Sequence, residues 1–521
     1  MKKVSVILVS LLILTFIFEP IQTFAQKGDN GYEGGITVGV REDRTPMQYQ
    51  EVCFITGEPL VLKGTLTINK SKKQDTIITT YNYTLRNDDV GAVLTRNFTY
   101  NIQLSDGGNG NNQQIEKVTL GRNFTEVLRL VNGDTYVLTN YDFDFSSLTD
   151  TRPAINYYAG TLNARKVYRI GNSDNGRTVT QEITGKVHGY NQYWGSVELA
   201  SLDYVINWAT PTAQWGGTAH INLSNTVTNE FKYVDNIPEE ISFKGRYVQF
   251  TNYNSTLIYT FSAPELDTEG EPTYRTVEKQ GSLKLENQPT QKSLVVPELS
   301  YLRGHWLEEE MKRLYSLQIF KENENKIIPE NYITRGEFVA AVMEVIKEVP
   351  EDPSLKDRTS ERRTTSTRMR GRGRAVEEEI VSPFVDLPVD HPYFNQINNA
   401  YSKSLVSGKG QGKFGTDDNI SLEEALVILI RALGLENLAP GPGPNAITPF
   451  IDDDQISTYA RKAIYIANRI GLITADERGY VYPKKLLSFG DAAVLLDKFI
   501  NYMCEGLKND WEKNIKDIYS F

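Results

Sequence analysis

The chain has 521 residues, with 56 basic and 66 acidic side chains, a net charge of −10 and two cysteines. An acidic balance of this size argues against generic nucleic-acid binding, and two cysteines are too few for a disulfide scaffold. At roughly 150 residues per domain, the length fits about three domains.

Residues 1–25 read as a secretory signal peptide: Lys2 and Lys3, an apolar run from Val4 to Phe18, then small residues at Thr23 and Ala25, with cleavage expected after Ala25. That run, about 15 residues long, is short for a membrane span, and no later stretch is apolar enough to be one. No cysteine stands at the expected cleavage site, which argues against a lipoprotein anchor.

From residue 28 to 296 the sequence is rich in Thr, Val, Ile, Tyr and Phe, punctuated by Gly, Asn and Asp, and it predicts an extracellular all-β region, a sandwich or barrel of one or two lobes. Asn132-Gly133 between alternating apolar residues predicts a hairpin. The polar stretch Ser105 to Gln114 has the composition of a solvated hairpin tip, and a ligand loop is the other reading. Asp142 and Asp144 share one side of a strand and could begin a calcium site, though no further oxygen ligands are evident. Tyr190, Tyr193, Trp194, Trp208 and Trp215 are expected in the core, since each ring buries so much apolar area; an exposed sugar-binding platform is the alternative. The four histidines, His188, His220, His305 and His391, show no zinc-ligand spacing, and neither a nucleophile elbow nor a phosphate loop is present. No pair of carboxylates stands out for glycoside hydrolysis.

Beyond Pro297 the pattern becomes helical, and the two halves are expected to fold independently. Thr334 lies three residues before Glu337 and ahead of Phe338, Val342, Val345 and Ile346, the spacing of a capping box that opens a helix. The same device recurs at Ser421 and Glu424, and at Ser488 and Asp491. Each box follows an amphipathic segment and a turn, so the unit is helix, loop, helix, three times over.

This pattern resembles S-layer homology repeats. Phe384 with Asp386, Phe450 with Asp452, His305 with Trp306, His391 with Tyr393, Gly408, Gly412 with Phe414, and Tyr482 with Pro483 fall where that family's consensus places such residues. The resemblance divides the C-terminal part into repeats at 300–348, 382–437 and 448–503, the second and third degenerate, with a basic insert at 349–381 and a tail at 504–521. It implies an all-α, pseudo-threefold bundle that holds a non-enzymatic S-layer or S-layer-associated protein on the cell wall. The implied partner is a secondary wall polysaccharide, often one carrying a pyruvyl ketal, and self-association into a surface lattice is a further reading. A wall-anchored enzyme or carbohydrate-binding protein acting through the β half is the alternative. No cofactor and no metal are called for.

Arg335, the second residue of the first box, is replaced by Leu422 and Phe489 in the others. A guanidinium there, next to the free amides and positive dipole of a helix start, would suit a carboxylate; a plain surface ion pair is the other reading. The resemblance makes Arg335, Thr334, Glu337, Trp306, Gly408 and Lys409 the residues expected to meet the polymer. Between the first two repeats, the arginine-rich run from Arg358 to Arg374 reads as a disordered linker, or as a grip on a polyanion. Cys53 and Cys504 could be bridged or be two buried thiols.

Overall fold

The computed structural model describes residues 28–519 apart from 39–44, 74–75, 109–111, 172–175, 235–244, 267–271, 322–326, 349–380 and 442–445. The segment expected to be a signal peptide and the arginine-rich run lie outside the described residues. The β half is one antiparallel sheet whose strands pair in sequence order. They are β1 (Ile36–Val38), β2 (Met47–Cys53), β3 (Leu60–Lys73), β4 (Thr76–Asn87), β5 (Ala92–Asp106), β6 (Gln113–Arg129) and β7 (Thr135–Thr151). There follow β8 (Ile155–Ile170), β9 (Thr178–Gln192), β10 (Gly195–Ala209), β11 (Gln214–Val234), β12 (Arg246–Leu266) and β13 (Pro272–Glu286), with β14 (Thr290–Leu294) returning to pair with β12. The predicted hairpin joins β6 to β7, with Gly133 at φ 94° and Leu130 N–H donating to Asp134 O at 2.9 Å.

Alternation decides which way the sheet curls. In β4 the buried residues are Ile77, Thr79, Tyr81, Tyr83 and Leu85, every second position, and their neighbours are turned outward. The sheet bends around this apolar face into a nearly closed barrel, and Ser255 Oγ on β12 donates to Thr37 O on β1 at 2.6 Å. β11 and β12 have 21 residues each, so the longest staves run roughly 70 Å.

Residues 28–35, sequence GDNGYEGG, fill the enclosed space. A Cβ at Gly31 would lie 2.1 Å from the Tyr83 hydroxyl, and one at Gly34 would lie 2.8 Å from Leu202 Cδ1 and the Tyr204 hydroxyl, so the segment touches opposite walls. Glycine is required at both, by this crowding and by φ values of 72° and 77°. The segment delivers Glu33 to a buried charge cluster. Arg96 holds Glu51 through two hydrogen bonds (2.7 and 2.9 Å) and Glu126 through a third (2.9 Å). Lys166 bonds Glu126 (3.1 Å) and Glu33, while the Tyr100 and Tyr141 hydroxyls donate to Glu33 at 3.2 and 3.1 Å. Buried carboxylates of this kind persist because each is matched by a cation or donor.

The C-terminal helices follow the predicted helix, loop, helix order, α1 (Glu308–Ser316) and α2 (Arg335–Ile346), α3 (Phe394–Ser402) and α4 (Leu422–Leu433), α5 (Arg461–Arg469) and α6 (Phe489–Asn501), but they pack across copies, α2 against α3, α4 against α5 and α6 against α1. A π-helical turn, Tyr502–Gly506, leads into α7 (Leu507–Tyr519), so the predicted tail is helical. No helix among the described residues is long and apolar enough to cross a membrane.

The expectation of independent halves is not met, because one apolar core runs through both. Ala154, Ile155, Tyr190, Trp194, Val197, Leu199, Tyr247 and Leu294 of the barrel join the helical core. Backbone and side-chain bonds stitch the same seam: Ala154 N–H to Ala432 O (3.0 Å), Tyr157 OH to Leu433 O (3.1 Å) and Trp194 Nε1–H to Val345 O (2.8 Å). Trp511 of α7 stacks on Tyr157 at 5.4 Å. The sequence change near Pro297 marks where the strands end, whereas the cooperative unit extends past it. Trp194 and Trp208 are core residues as expected, the latter donating to Ile55 O at 2.9 Å, and Trp215 stacks on Trp208. Cys53 and Cys504 are free and buried in separate cores, and burial pushes both thiols up to about 12.

Candidate functional site

The three capping boxes form. Glu337 N–H donates to Thr334 Oγ1 (3.2 Å), and the Glu337 carboxylate accepts from Thr334 N–H (2.8 Å). Ser421 N–H donates to Glu424, and Ser488 N–H to Asp491, each at 3.0 Å. The residue before each box contributes to a ring of backbone bonds: Ile333 N–H to Leu487 O (3.1 Å), Leu487 N–H to Ile420 O (2.9 Å) and Ile420 N–H to Ile333 O (3.2 Å). Each copy therefore donates to the one before it and the first donates to the third, a closed pseudo-threefold arrangement.

This closure corrects one expectation. The helix-start amides beside Arg335 are not free: Arg335 N–H donates to Asp418 O (2.7 Å) and Gly336 N–H to Thr416 O (2.9 Å). Leu422 and Glu423 meet Lys485 O and Pro483 O in the same way, and Phe489 and Gly490 meet Asn331 O and Pro329 O. The first amides of each box helix are spent on the preceding loop of the next copy, so binding chemistry has to come from side chains.

Each groove thus combines one box with the following copy. In the first, the Arg335 guanidinium packs 4.8 Å over the Phe414 ring, donates to Ser407 O at 3.1 Å and lies 3.5 Å from Glu424. Its Nε–H is buried and makes no hydrogen bond among the described residues. Burial pushes its pKa down, with Glu424 opposing. Lys409 sits beside it, 3.2 Å from Asp418 and 3.4 Å from Glu424, with a third of its side chain exposed. Gly408 allows this approach, since a Cβ there would meet Lys413 O at 2.7 Å. Asp386 holds the same loop by accepting from Phe414 and Gly415 N–H, both at 2.7 Å, and Asp452 does so for the third copy through Val481 and Tyr482.

Of the predicted residues, Thr334, Arg335, Gly408 and Lys409 converge on this groove. Thr334 and Glu337 act as the cap. Trp306 is elsewhere: its neighbour Leu307 packs against the third box, where a Cβ on Gly490 would meet Leu307 Cδ1 at 2.6 Å. Trp306 is 70% exposed and stacks on His305. In that third groove Phe489 packs edge-on against Phe320. His305 and His391 accept from Leu307 and Tyr393 N–H through Nδ1, each at 3.2 Å, and so start α1 and α3. The second groove holds a carboxylate the sequence reading passed over, Glu423, surrounded by Ser457, Tyr459 and Lys484. The doubled acid in "SLEE" was its only signal.

On the barrel, Asp142 and Asp144 face outward, and among the described residues no group of three or more His, Cys, Asp or Glu is arranged to hold a metal ion. The carboxylates that do gather, Glu33, Glu51 and Glu126, are sealed inside with Arg96 and Lys166.

A family model described as S-layer homology domain matches residues 302–339 and 383–426. The third copy lies outside the matched segments, although its box closes the backbone ring. A cell surface protein of Thermoanaerobacter kivui is 40% identical over 128 residues, 25% of this chain and 16% of that protein. An amylopullulanase of Thermoanaerobacterium thermosulfurigenes and the exoglucanase XynX of Acetivibrio thermocellus are each 23% identical over 197 residues, 37% of this chain but 9% and 15% of theirs. The chain spans less than a fifth of the length of these relatives. Its C-terminal part carries S-layer homology domains, which make this a protein of the cell surface, anchored at the wall.

Proposed function

We propose that the first groove binds a carboxylate-bearing secondary wall polysaccharide, such as a pyruvylated one, and that the barrel is a non-enzymatic body held at the surface by this contact. The observation that carries the reading is the pairing of Arg335, whose Nε–H has no acceptor among the described residues, with the part-exposed Lys409. A guanidinium fork and an ammonium side by side suit a carboxylate, and neither of the other boxes has a cation at the Arg335 position.

Two of these relatives bear the names of polysaccharide hydrolases, which motivates a second reading, an anchored enzyme. The barrel's grouped carboxylates do not favour it: they are buried and matched by Arg96 and Lys166, whereas hydrolysis needs two carboxyl groups flanking an accessible bond. Self-association into a lattice is a further part of the proposal.

Cell fractionation tests the reading: the protein is expected with the wall, released by denaturant without detergent. Release of reducing sugar from amylopectin, xylan or cellulose by the purified full chain would favour the enzyme instead.

A further inference from the structure

Glu423 occupies the second position of its box helix, where the other two boxes have Gly336 and Gly490. Its side chain is 4% exposed, yet it is ionised by the company it keeps. Oε1 accepts from Lys484 Nζ (2.6 Å), Tyr459 OH (2.8 Å) and Ser457 Oγ (2.9 Å), and Oε2 accepts from Ser457 N–H (3.1 Å). Lys484 also bonds Ser457 Oγ. Burial acts to raise the Glu423 pKa, but these donors outweigh it and hold the acid below its ordinary range.

The donors come from the next copy, from the turn ahead of its first helix and the loop before its box, and in the first groove the loop before the box likewise faces Arg335. They also face solvent: the Lys484 side chain is 54% exposed and Tyr459 is 58% exposed. One ammonium, one phenol, one hydroxyl and one backbone amide converging on a single carboxylate at an open groove mouth form a complete carboxylate receptor. An ordinary capping or surface pair does not require four donors of different kinds. The second groove has lost the box arginine, being Leu422 there, but has not lost its capacity for anions.

We propose that the second groove is a carboxylate-binding site occupied by the chain's own Glu423, which keeps an external acidic group out. Its natural competitor would be an acidic sugar substituent, and that identity rests on the wall-attachment reading; the receptor itself does not. The two grooves then differ by design of charge. In the first, Arg335 and Lys409 are also paired with Glu424 and Asp418, but the Arg335 Nε–H has no acceptor among the described residues and Lys409 is part-exposed, whereas in the second Glu423 engages Lys484, Tyr459 and Ser457 together.

The test uses the full chain and pyruvate as the probe, titrated by calorimetry into wild type, Glu423→Ala, and Glu423→Ala combined with Lys484→Gln. Ala keeps the backbone and Cβ and removes the rest of the side chain, carboxylate included. The expected result is that Glu423→Ala acquires a pyruvate site, gaining on the order of ten-fold or more in affinity over wild type, as replacement of a charged hydrogen-bonded contact implies, and that Lys484→Gln abolishes the gain. A folded Glu423→Ala protein with no gain, or with a gain indifferent to Lys484, overturns the proposal. If the alanine variant does not fold, Glu423→Gln serves with the same readout, its neutral amide being displaceable where the carboxylate is not; absence of Lys484-dependent binding there also overturns it. Wall binding by the wild type is read separately, so loss of the attachment reading would not be confused with loss of this one.

Discussion

The Trp194 indole N–H on the barrel donates to Val345 O near the end of α2, across 2.8 Å, with both residues at least 99% buried. A bond of this kind in a continuous apolar core ties the unfolding of the barrel to that of the first repeat. The full chain is expected to melt in one main transition, and Trp194→Ala to lower stability by about 3–5 kcal/mol across both parts. Residues 28–296 alone should bind hydrophobic dyes and aggregate, since Trp194, Tyr190 and Tyr247 lose their cover. Calorimetry showing two well-separated transitions, with only one moved by Trp194→Ala, would contradict this.

Inside the barrel, burial works against ionisation of Glu126, but Arg96 and Lys166 overcome it and hold the carboxyl at about 2. The folded value lies below the ordinary one of 4.5, so the stabilisation is fully present above pH 4.5 and is lost as pH falls through about 2. At neutral pH it amounts to on the order of 3 kcal/mol. Arg96→Met should cost about 3–5 kcal/mol by stranding Glu51 and Glu126, and should flatten the acid limb of the stability curve. Denaturant melts from pH 2 to 7 check both.

The backbone ring makes a prediction about two glycines. A Cβ at Gly336 would lie 2.9 Å from Thr416 Cγ2 and 3.0 Å from Thr416 O, and one at Gly490 would lie 2.6 Å from Leu307 Cδ1. Gly336→Ala and Gly490→Ala should each destabilise the helical unit by about 1–3 kcal/mol through overpacking. Glu423→Ala at the equivalent position adds no atoms and should escape that penalty. Thermal melts of the three variants make the comparison.

Much of the helical unit was legible because its signals are local. A capping box needs residues only three apart, so Thr334 with Glu337, Ser421 with Glu424 and Ser488 with Asp491 could be found by spacing alone. Strand alternation likewise gave the β half, and aromatic size gave Trp194 and Trp208 as core. What stayed hidden depends on chain closure in space. That the amides of Arg335 and Gly336 are taken by Asp418 and Thr416 follows only from the ring, and Trp306 was grouped with Arg335 because nothing in one sequence tells which copy faces which. The Glu33–Arg96–Glu126–Lys166 cluster joins residues up to 133 positions apart, and no local pattern marks them. Nor does anything local show that the glycines of the segment 28–35 are there because tyrosines crowd it.

Calorimetric titration of purified wall polysaccharide into wild type, Arg335→Ala, Arg335→Lys, Leu422→Ala and Phe489→Ala, each with its melting curve, tests wall attachment through the first groove most directly. Arg335→Ala is expected to lose about 1.5–3 kcal/mol of binding, roughly ten- to a hundred-fold in affinity, and Arg335→Lys to recover only part of it because the fork is gone. Leu422→Ala and Phe489→Ala should lower melting temperature with little change in affinity. Unchanged affinity in a folded Arg335→Ala protein would contradict the account and remove the first groove as the place where this chain meets the wall.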